Sequence, residues 1–298
     1  MQSVLTLIAS SSNLRLDTRT IARARDSLAA SGARVAAAGW LSENVACDIP
    51  FDGVEPVRAE QIVRESLGDS AVDLAAQSAA GRRKRILVAD MESTIVTAEL
   101  LDELAASLGI ADAIAPITAR SMRGEIEFAQ SLRERVSLLA GRPAAVLEPV
   151  AANIELMPGA RRLVLTMRAG GAHTALVSGG FDIFAAIVAK VCGFDEYHAN
   201  HLVIANGKIA GLVAEPILDR EGKAKVLQRL AADRSLALES TAAIGDGAND
   251  IAMLQAAGLG VAFHGKPAVA AAARYRLDHS DLTGLLYLQG YHSREFKE

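Results

Sequence analysis

Residues 86–94 read Ile-Leu-Val-Ala-Asp-Met-Glu-Ser-Thr. An apolar run of this kind is typical of a buried strand, and here it leads into the acidic residues Asp90 and Glu92. In open α/β sheets, ligands bind in the crevice at the carboxyl ends of the strands. This stretch therefore predicts the first strand of an α/β domain that carries functional side chains at its end.

The chain after Asp90 largely alternates between predicted strands and helices. The further strands are predicted at residues 173–177, 202–204, 209–213, 241–244 and 258–262. Asn206-Gly207, between two of these runs, is a strong hairpin signal. Such alternation predicts a doubly wound parallel sheet, a Rossmann-like α/β core, over residues 86–298.

An insertion follows the first core strand. Residues 98–155 are charged and amphipathic, and we expect helices there that are interrupted at Pro116, Pro143 and Pro149. The pattern predicts a small helical cap at about residues 98–157.

The first 80 residues carry a different pattern. Their order is strand, helix, strand, strand, helix, strand, which is the ferredoxin-like α+β motif. The predicted strands are residues 4–9, 35–41, 45–49 and 71–76, and the predicted helices follow Asp17 and cover 57–67. We place a linker at residues 81–85, and we interpret its Arg and Lys residues as a solvated flank rather than a nucleic-acid patch.

Composition excludes several function classes. Of 298 residues only 4% are aromatic, and the net charge is −4, which argues against nucleic-acid binding. No apolar run reaches the roughly 18 residues that a bilayer span needs, and the N-terminus lacks the basic segment of a signal peptide. Cys47 and Cys192 cannot form a disulfide framework, so we expect a cytoplasmic protein.

Polar residues at other predicted strand ends favour phosphate chemistry. Ser178 ends one strand beside two glycines, residues 245–250 (Gly-Asp-Gly-Ala-Asn-Asp) end another, and Lys223 opens the helix between them. Carboxylates without a His or Cys grouping suit a hard cation, in the first place Mg²⁺. A hydroxyl, glycine amides and a lysine suit a phosphate, and a carboxylate beside both can attack phosphorus to form an aspartyl-phosphate.

In order, these segments resemble the four motifs of the haloacid dehalogenase superfamily. Residues 177–182, 245–250 and the insertion stretch 122–136 are similar to the phosphoserine phosphatases within it, and the resemblance covers about residues 86–290. Residues 1–80 resemble in pattern the ACT-type regulatory domain of bacterial members. One departure is Glu92, where the usual motif has Asp; because Glu has similar acidity, we expect it to serve as the general acid.

The resemblance implies a Mg²⁺-dependent phosphoserine phosphatase, which releases L-serine and phosphate in the last step of serine biosynthesis. Asp90 would attack phosphorus, and Glu92 would protonate the leaving oxygen and then activate water. The implied Mg²⁺ ligands are Asp90, the Glu92 main-chain carbonyl and Asp246, while Asp250 would anchor a metal-bound water or Lys223. The implied phosphate-binding residues are Ser178, Gly179, Lys223 and Asn249.

The cap would select the substrate. The resemblance implies that Glu99 pairs with the substrate ammonium, that Arg135 holds its carboxylate, and that Met122 and Phe128 exclude water. Two alternatives stay open: a phosphatase or phosphotransferase for another small phosphomonoester, and a non-catalytic amino-acid sensor. A homodimer, and an amino-acid effector bound at residues 10–17 of the N-terminal domain, also stay open.

Overall fold

The computed structural model describes residues 2–10, 15–123 and 125–298, which form an N-terminal sheet, a C-terminal sheet and a small two-stranded sheet, with flanking helices. The strands are β1 Ser3–Ala9, β2 Arg34–Val35, β3 Gly39–Ser42, β4 Ala46–Asp52, β5 Val72–Ser78, β6 Ile86–Ala89, β7 His173–Phe181, β8 Glu196–Asn200, β9 Leu202–Ala205, β10 Lys208–Val213, β11 Thr241–Gly245, β12 Leu259–Phe263 and β13 Tyr275–Leu277. The helices are α1 Thr18–Ala30, α2 Pro56–Leu67, α3 Leu100–Ser107, α4 Ala111–Met122, α5 Phe128–Ser137, α6 Leu147–Ala152, α7 Ala160–Ala169, α8 Asp182–Cys192, α9 Arg220–Asp233, α10 Ile251–Ala256, α11 Pro267–Ala272 and α12 Gly284–Leu288.

The N-terminal sheet is antiparallel, with the order β2-β4-β1-β5 and with β3 also paired to β4. This confirms the predicted ferredoxin-like order of elements. The single strand predicted at 35–41 is wrong, because two short strands, β2 and β3, occupy that stretch. The break lies opposite Pro50 of β4: Ala36 donates its N–H to the Pro50 carbonyl at 2.9 Å, but Pro50 has no N–H to return.

Both faces of this sheet are covered. Leu5 and Leu7 pack under α1 and α2, while Ile8 and Ala75, on the opposite face, share a core with residues of α12. The carboxylate of Asp73, which is 3% exposed, accepts hydrogen bonds of 2.8–3.2 Å from the backbone N–H groups of residues 278–280. The N-terminal sheet is therefore docked on the C-terminal part of the chain by apolar contacts and by one buried carboxylate.

The interpretation of residues 81–85 as a solvated flank is wrong for two of its basic residues, Arg82 and Lys84. The guanidinium of Arg82 lies 2.5 Å from the Asp48 carboxylate and donates to the Leu288 carbonyl at 3.2 Å. The ammonium of Lys84 donates to the carbonyls of Gly81 and Glu239 at 2.9 and 2.8 Å. These side chains fasten the connecting segment to β4 through Asp48, to α12 through Leu288 and to the stretch before β11 through Glu239.

We expect Asp73→Ala to lower the free energy of unfolding by about 3 kcal/mol, because several buried N–H groups lose a charged acceptor. Urea denaturation of the full chain measures this loss. Asp69→Ala is the matched control, since Asp69 is exposed in the turn before β5. A loss no greater than that of the control would contradict the docking role of Asp73.

The C-terminal sheet is parallel, with the order β13-β12-β11-β6-β7-β8 and helices on both faces. The predicted doubly wound core is thereby confirmed, with β6 and β11 at its centre. The predicted hairpin is also present, since β9 and β10 pair around Asn206 and Gly207, both of which have positive φ. Two edge strands, β8 and β13, lie where the sequence pattern predicts none.

Helices α3 to α6 form the cap between β6 and α7. The predicted interruption at Pro149 is wrong, because this residue lies in the first turn of α6, where its missing N–H has no partner to lose within the helix. The predicted interruption at Pro116 is also wrong, because α4 continues through this residue. Proline removes only the hydrogen bond to the carbonyl four residues earlier, here that of Asp112, which lies in an exposed first turn where water can replace it. In the described part of the chain, no helix combines the length and the apolar character needed to cross a bilayer.

Candidate active site

Three adjacent strands bring the sequence-predicted polar residues to one edge of the parallel sheet. Asp90 follows β6, Asp246 follows β11 and Ser178 lies in the last half of β7. The register pairs Ala89 with Ile244, and the Asp90 N–H donates to the Ile244 carbonyl at 3.0 Å. Residues that are far apart in the chain thus meet because parallel strands end together.

Three buried aspartates form the centre of the site. Carboxylate oxygens of Asp90, Asp246 and Asp250 lie within 4.8 Å of one another. Asp250 is fixed by the Gly247 N–H, which donates to its Oδ2 at 3.0 Å. A Cβ at Gly245 would lie 2.5 Å from the Asp250 carboxyl carbon, so glycine is needed for this close approach.

Lys223 neutralises part of this charge. Its ammonium, fully buried, lies 2.7 Å from Oδ1 of Asp90 and 2.7 Å from Oδ1 of Asp250. Burial and the nearby Asp250 carboxylate still raise the pKa of Asp90 well above its ordinary value. Burial opposes the charge of Lys223, but the two carboxylates outweigh it and raise the pKa of the ammonium. The remaining negative charge and the all-oxygen donor set fit a hard divalent cation such as Mg²⁺.

Glu92 lies beside the acidic centre, and the pKa of its carboxyl is close to neutral pH. Burial, and then the neighbouring Glu99 charge, raise the pKa of its carboxyl to about 7. Its Oε1 accepts the Leu100 N–H at 2.9 Å, and Oε2 would lie 3.0 Å from a Cβ at Gly180. A carboxyl that is held in place and titrates near pH 7 can both donate and accept a proton.

The second half of β7, where its pairing with β8 is irregular, offers hydrogen-bonding groups of residues 178–180 next to the aspartates. The Ser178 hydroxyl is buried and accepts the Gly180 N–H at 2.9 Å. Asn249 lies in the segment that follows β11, and its Oδ1 packs closely against Gly247 of the same segment. Such hydroxyl and amide groups can bind a phosphoryl group.

Asn200, at the end of β8, supports this second half of β7, and the sequence analysis does not predict it. Its buried side chain donates to the Gly179 carbonyl at 2.8 Å and accepts the Leu218 N–H at 2.7 Å. The end of β8 would have indicated this residue, but β8 itself was not predicted.

The cap places two predicted residues over the site. The Phe128 ring covers Gly179, because its Cζ would be 2.8 Å from a Cβ there. Arg135, seven residues later on the same helix α5, is half-buried, and burial lowers its pKa while Asp102, Glu92 and Glu99 oppose that shift. Among the described residues, no carboxylate forms an ion pair with Arg135. Its guanidinium is therefore available to an anionic ligand.

Glu99 and Met122 are the other two cap residues that the sequence analysis predicts at the site. Glu99 is exposed at the mouth of the site, and its Oε1 accepts the Ser93 hydroxyl at 3.0 Å. The backbone of Met122 ends α4, but its side chain lies outside the described residues.

Lys266 is a second residue that the sequence analysis missed. Its ammonium lies 3.0 Å from Oδ2 of Asp246 and 3.8 Å from Oε1 of Glu99. Burial opposes its charge, but Asp246 outweighs this effect and raises the pKa of Lys266. The rule that polar residues at parallel strand ends meet would have found it, because Lys266 follows the correctly predicted strand β12.

The family model of haloacid dehalogenase-like hydrolases matches residues 87–255, more than half of the chain. The chain belongs to the haloacid dehalogenase-like hydrolase family. Among curated members, the phosphoserine phosphatase of Mycobacterium tuberculosis is 46% identical over 211 residues, which are 71% of this chain and 52% of that protein. The chain covers 52–60% of the length of the first three curated relatives.

Solved structures are similar to this chain as well, and one of them covers both the N-terminal and the C-terminal sheet. A probable phosphoserine phosphatase from Vibrio cholerae, in unliganded form, has a TM-score of 0.78 and 30% identity over 99% of this chain and 88% of that chain. A phospho-aspartyl intermediate analogue of phosphoserine phosphatase has a TM-score of 0.64 and 36% identity over 69% and 98% of the two chains. The resemblance to phosphoserine phosphatases drawn from the motifs is thus confirmed.

Proposed function

We propose that the chain is a Mg²⁺-dependent phosphatase that hydrolyses O-phospho-L-serine to L-serine and phosphate. The observation that carries this proposal is the pair of opposite charges above the acidic centre. Arg135 has no ion-pair partner among the described residues, and Glu99 lies at the mouth near Glu92. A ligand with a carboxylate and an ammonium beside its phosphoryl group complements this arrangement.

Asp90 is the nucleophile in this proposal. Lys223 and the Met91 N–H both contact Oδ1 of Asp90, each at 2.7 Å, which leaves Oδ2 for attack on phosphorus. The new Oδ2–P bond forms as the bond from phosphorus to the seryl oxygen breaks, and Glu92 gives that oxygen a proton. Glu92 then takes a proton from water, which attacks phosphorus and restores the Asp90 carboxylate. The phospho-aspartyl analogue known for a related phosphatase supports this route.

Asp90, the Glu92 main-chain carbonyl and Asp246 would hold Mg²⁺, and Asp250 would orient Lys223 or a metal-bound water. When bound, the cation supplies charge that stabilises the phosphoryl oxygens during transfer. Ser178, the Gly179 amide and Lys223 bind the same oxygens from the protein side. Asn249 positions the phosphate, and Phe128 keeps bulk water away.

The proposal is tested by phosphate release from phosphoserine, phosphothreonine and p-nitrophenyl phosphate, each with and without Mg²⁺. We expect phosphoserine to be the best substrate and chelation to remove activity. Equal rates on all three would favour the alternative of a phosphatase for other small phosphomonoesters. No hydrolysis at all, with phosphoserine bound, would favour the non-catalytic amino-acid sensor.

We also propose that residues 1–80 form an ACT-like regulatory domain, followed by the segment 81–85 and the phosphatase domain 86–298. The sheet order and the full-length match to the Vibrio cholerae structure support this division. The effector loop predicted at 10–17 includes residues 11–14, which lie outside the described residues. An amino-acid effector and a homodimer stay predictions. A cytoplasmic location, also proposed, agrees with the buried free thiols of Cys47 and Cys192.

A further inference from the structure

The two lysines of the acidic centre hold its carboxylates in different ways. Lys223 is 1% exposed and is shared between Asp90 and Asp250. Lys266 pairs with the remaining carboxylate, Asp246, and its side chain is 52% exposed. The first cation is therefore a fixed part of the interior, whereas the second reaches the same centre from the solvent side.

The turn that carries Lys266 is anchored independently of its ammonium. The Lys266 N–H donates to the Asp246 carbonyl at 2.9 Å, and the side chain then bends back to the Asp246 carboxylate. Because half of this side chain is already in water, the ammonium can leave Asp246 for water at the small cost of a partly exposed ion pair, without movement of the backbone. Lys223 has no such route, since it is enclosed on all sides.

We propose that Lys266 is the counter-ion of Asp246 when no divalent cation is bound, and that it competes with the divalent cation for this carboxylate. The same ammonium lies 3.8 Å from Glu99, so it also occupies the place proposed for the substrate ammonium. Binding of the divalent cation at Asp246 and of the substrate ammonium at Glu99 would thus displace the same lysine, Lys266, from both carboxylates. The identity of these cations rests on the proposed function.

Two consequences follow for Lys266→Met. Without the competing ammonium, Mg²⁺ binds more tightly, and we expect its dissociation constant to fall about three- to tenfold, as for a partly exposed charge pair. The metal-free variant also loses the charge that neutralises Asp246, so its melting temperature falls. Saturating Mg²⁺ replaces the missing charge and narrows this deficit.

The experiment uses the full chain after chelation, with titration calorimetry of Mg²⁺ in the absence of phosphoserine and with thermal unfolding with and without Mg²⁺. Lys266→Arg keeps the charge and should behave as the wild type. Lys225→Met is the matched control, because Lys225 also pairs with a carboxylate, Glu221 at 3.5 Å, on an exposed surface. Asp246→Asn should abolish the calorimetric signal.

Unchanged or weaker Mg²⁺ binding by Lys266→Met would overturn the competition. If the wild type itself bound no Mg²⁺, the proposed cofactor would be wrong, and the metal-free melting temperatures would still decide on the counter-ion. Equal melting temperatures of the metal-free Lys266→Met and Lys266→Arg variants would then show that the charge of Lys266 does not stabilise the metal-free protein.

Discussion

Asp90→Asn should reduce phosphoserine turnover by at least about a thousandfold, because an amide is nearly isosteric with a carboxylate but does not attack phosphorus. Folding should persist, since Lys223 retains its contact with Asp250 at 2.7 Å. Burial and the Asp250 charge already disfavour the charged form of Asp90, so its replacement by a neutral group relieves repulsion. Rates of phosphate release and the melting temperature measure the two effects.

The covalent step can be tested directly in the same variant. Acid-quenched wild-type enzyme with phosphoserine should show a phosphorylated peptide that contains residue 90 by mass spectrometry, and Asp90→Asn should not. Asp112→Asn, at an exposed position of the cap, is the control for the substitution itself. Asp90→Ala is a second variant, because slow deamidation of the introduced asparagine would restore aspartate, whereas alanine cannot revert in this way. A phosphorylated peptide in the alanine variant would assign the nucleophile to another residue.

The predictable part of the fold consists of central strands and what directly follows them. Strand β6 is predictable because a parallel strand covered on both faces is apolar throughout. The edge strand β8 contains Glu196 and His198, which reach solvent and each other, so its sequence lacks that signal. Because β8 is not predicted, Asn200, whose side chain supports β7 at Gly179, is not predicted either.

Contacts between distant segments could not be predicted from local pattern. Asp73 binds backbone groups more than 200 residues further along the chain. Arg82 looked like part of a solvated basic cluster, since nothing near it in sequence indicates that Asp48 lies opposite. Local periodicity indicates which face of a strand is apolar, but it does not indicate what covers that face.

The cap shows the same limit at the site. By itself, an arginine on a charged helix is typical of a solvated surface, and only the family resemblance gave Arg135 a role. The structure adds that this guanidinium is half-buried, near Glu92 and Glu99, with no ion-pair partner among the described residues. Burying an arginine without an ion pair is unfavourable, so a site that keeps one is suited to an anion that arrives with the substrate.

Arg135→Ala should therefore impair hydrolysis of phosphoserine about ten- to a hundredfold more than that of p-nitrophenyl phosphate. Both substrates present a phosphoryl group to Asp90, Ser178 and Lys223, but only phosphoserine carries a carboxylate. A charge-assisted hydrogen bond contributes roughly 1.5–3 kcal/mol, which gives this ratio in kcat/KM. Glu99→Gln should show the same selectivity through the ammonium.

Two comparisons separate recognition of the carboxylate from a structural effect. Arg133→Ala removes an exposed arginine of the same helix, which pairs with Glu215, and should leave the ratio of the two kcat/KM values unchanged. Lys223→Ala should lower both activities together, because both substrates use its contact with the phosphoryl group. Equal losses on the two substrates for Arg135→Ala would assign that residue to the packing of the cap. The guanidinium of Arg135 would then no longer argue for an amino-acid substrate, and the site would be better described as one for small phosphomonoesters in general.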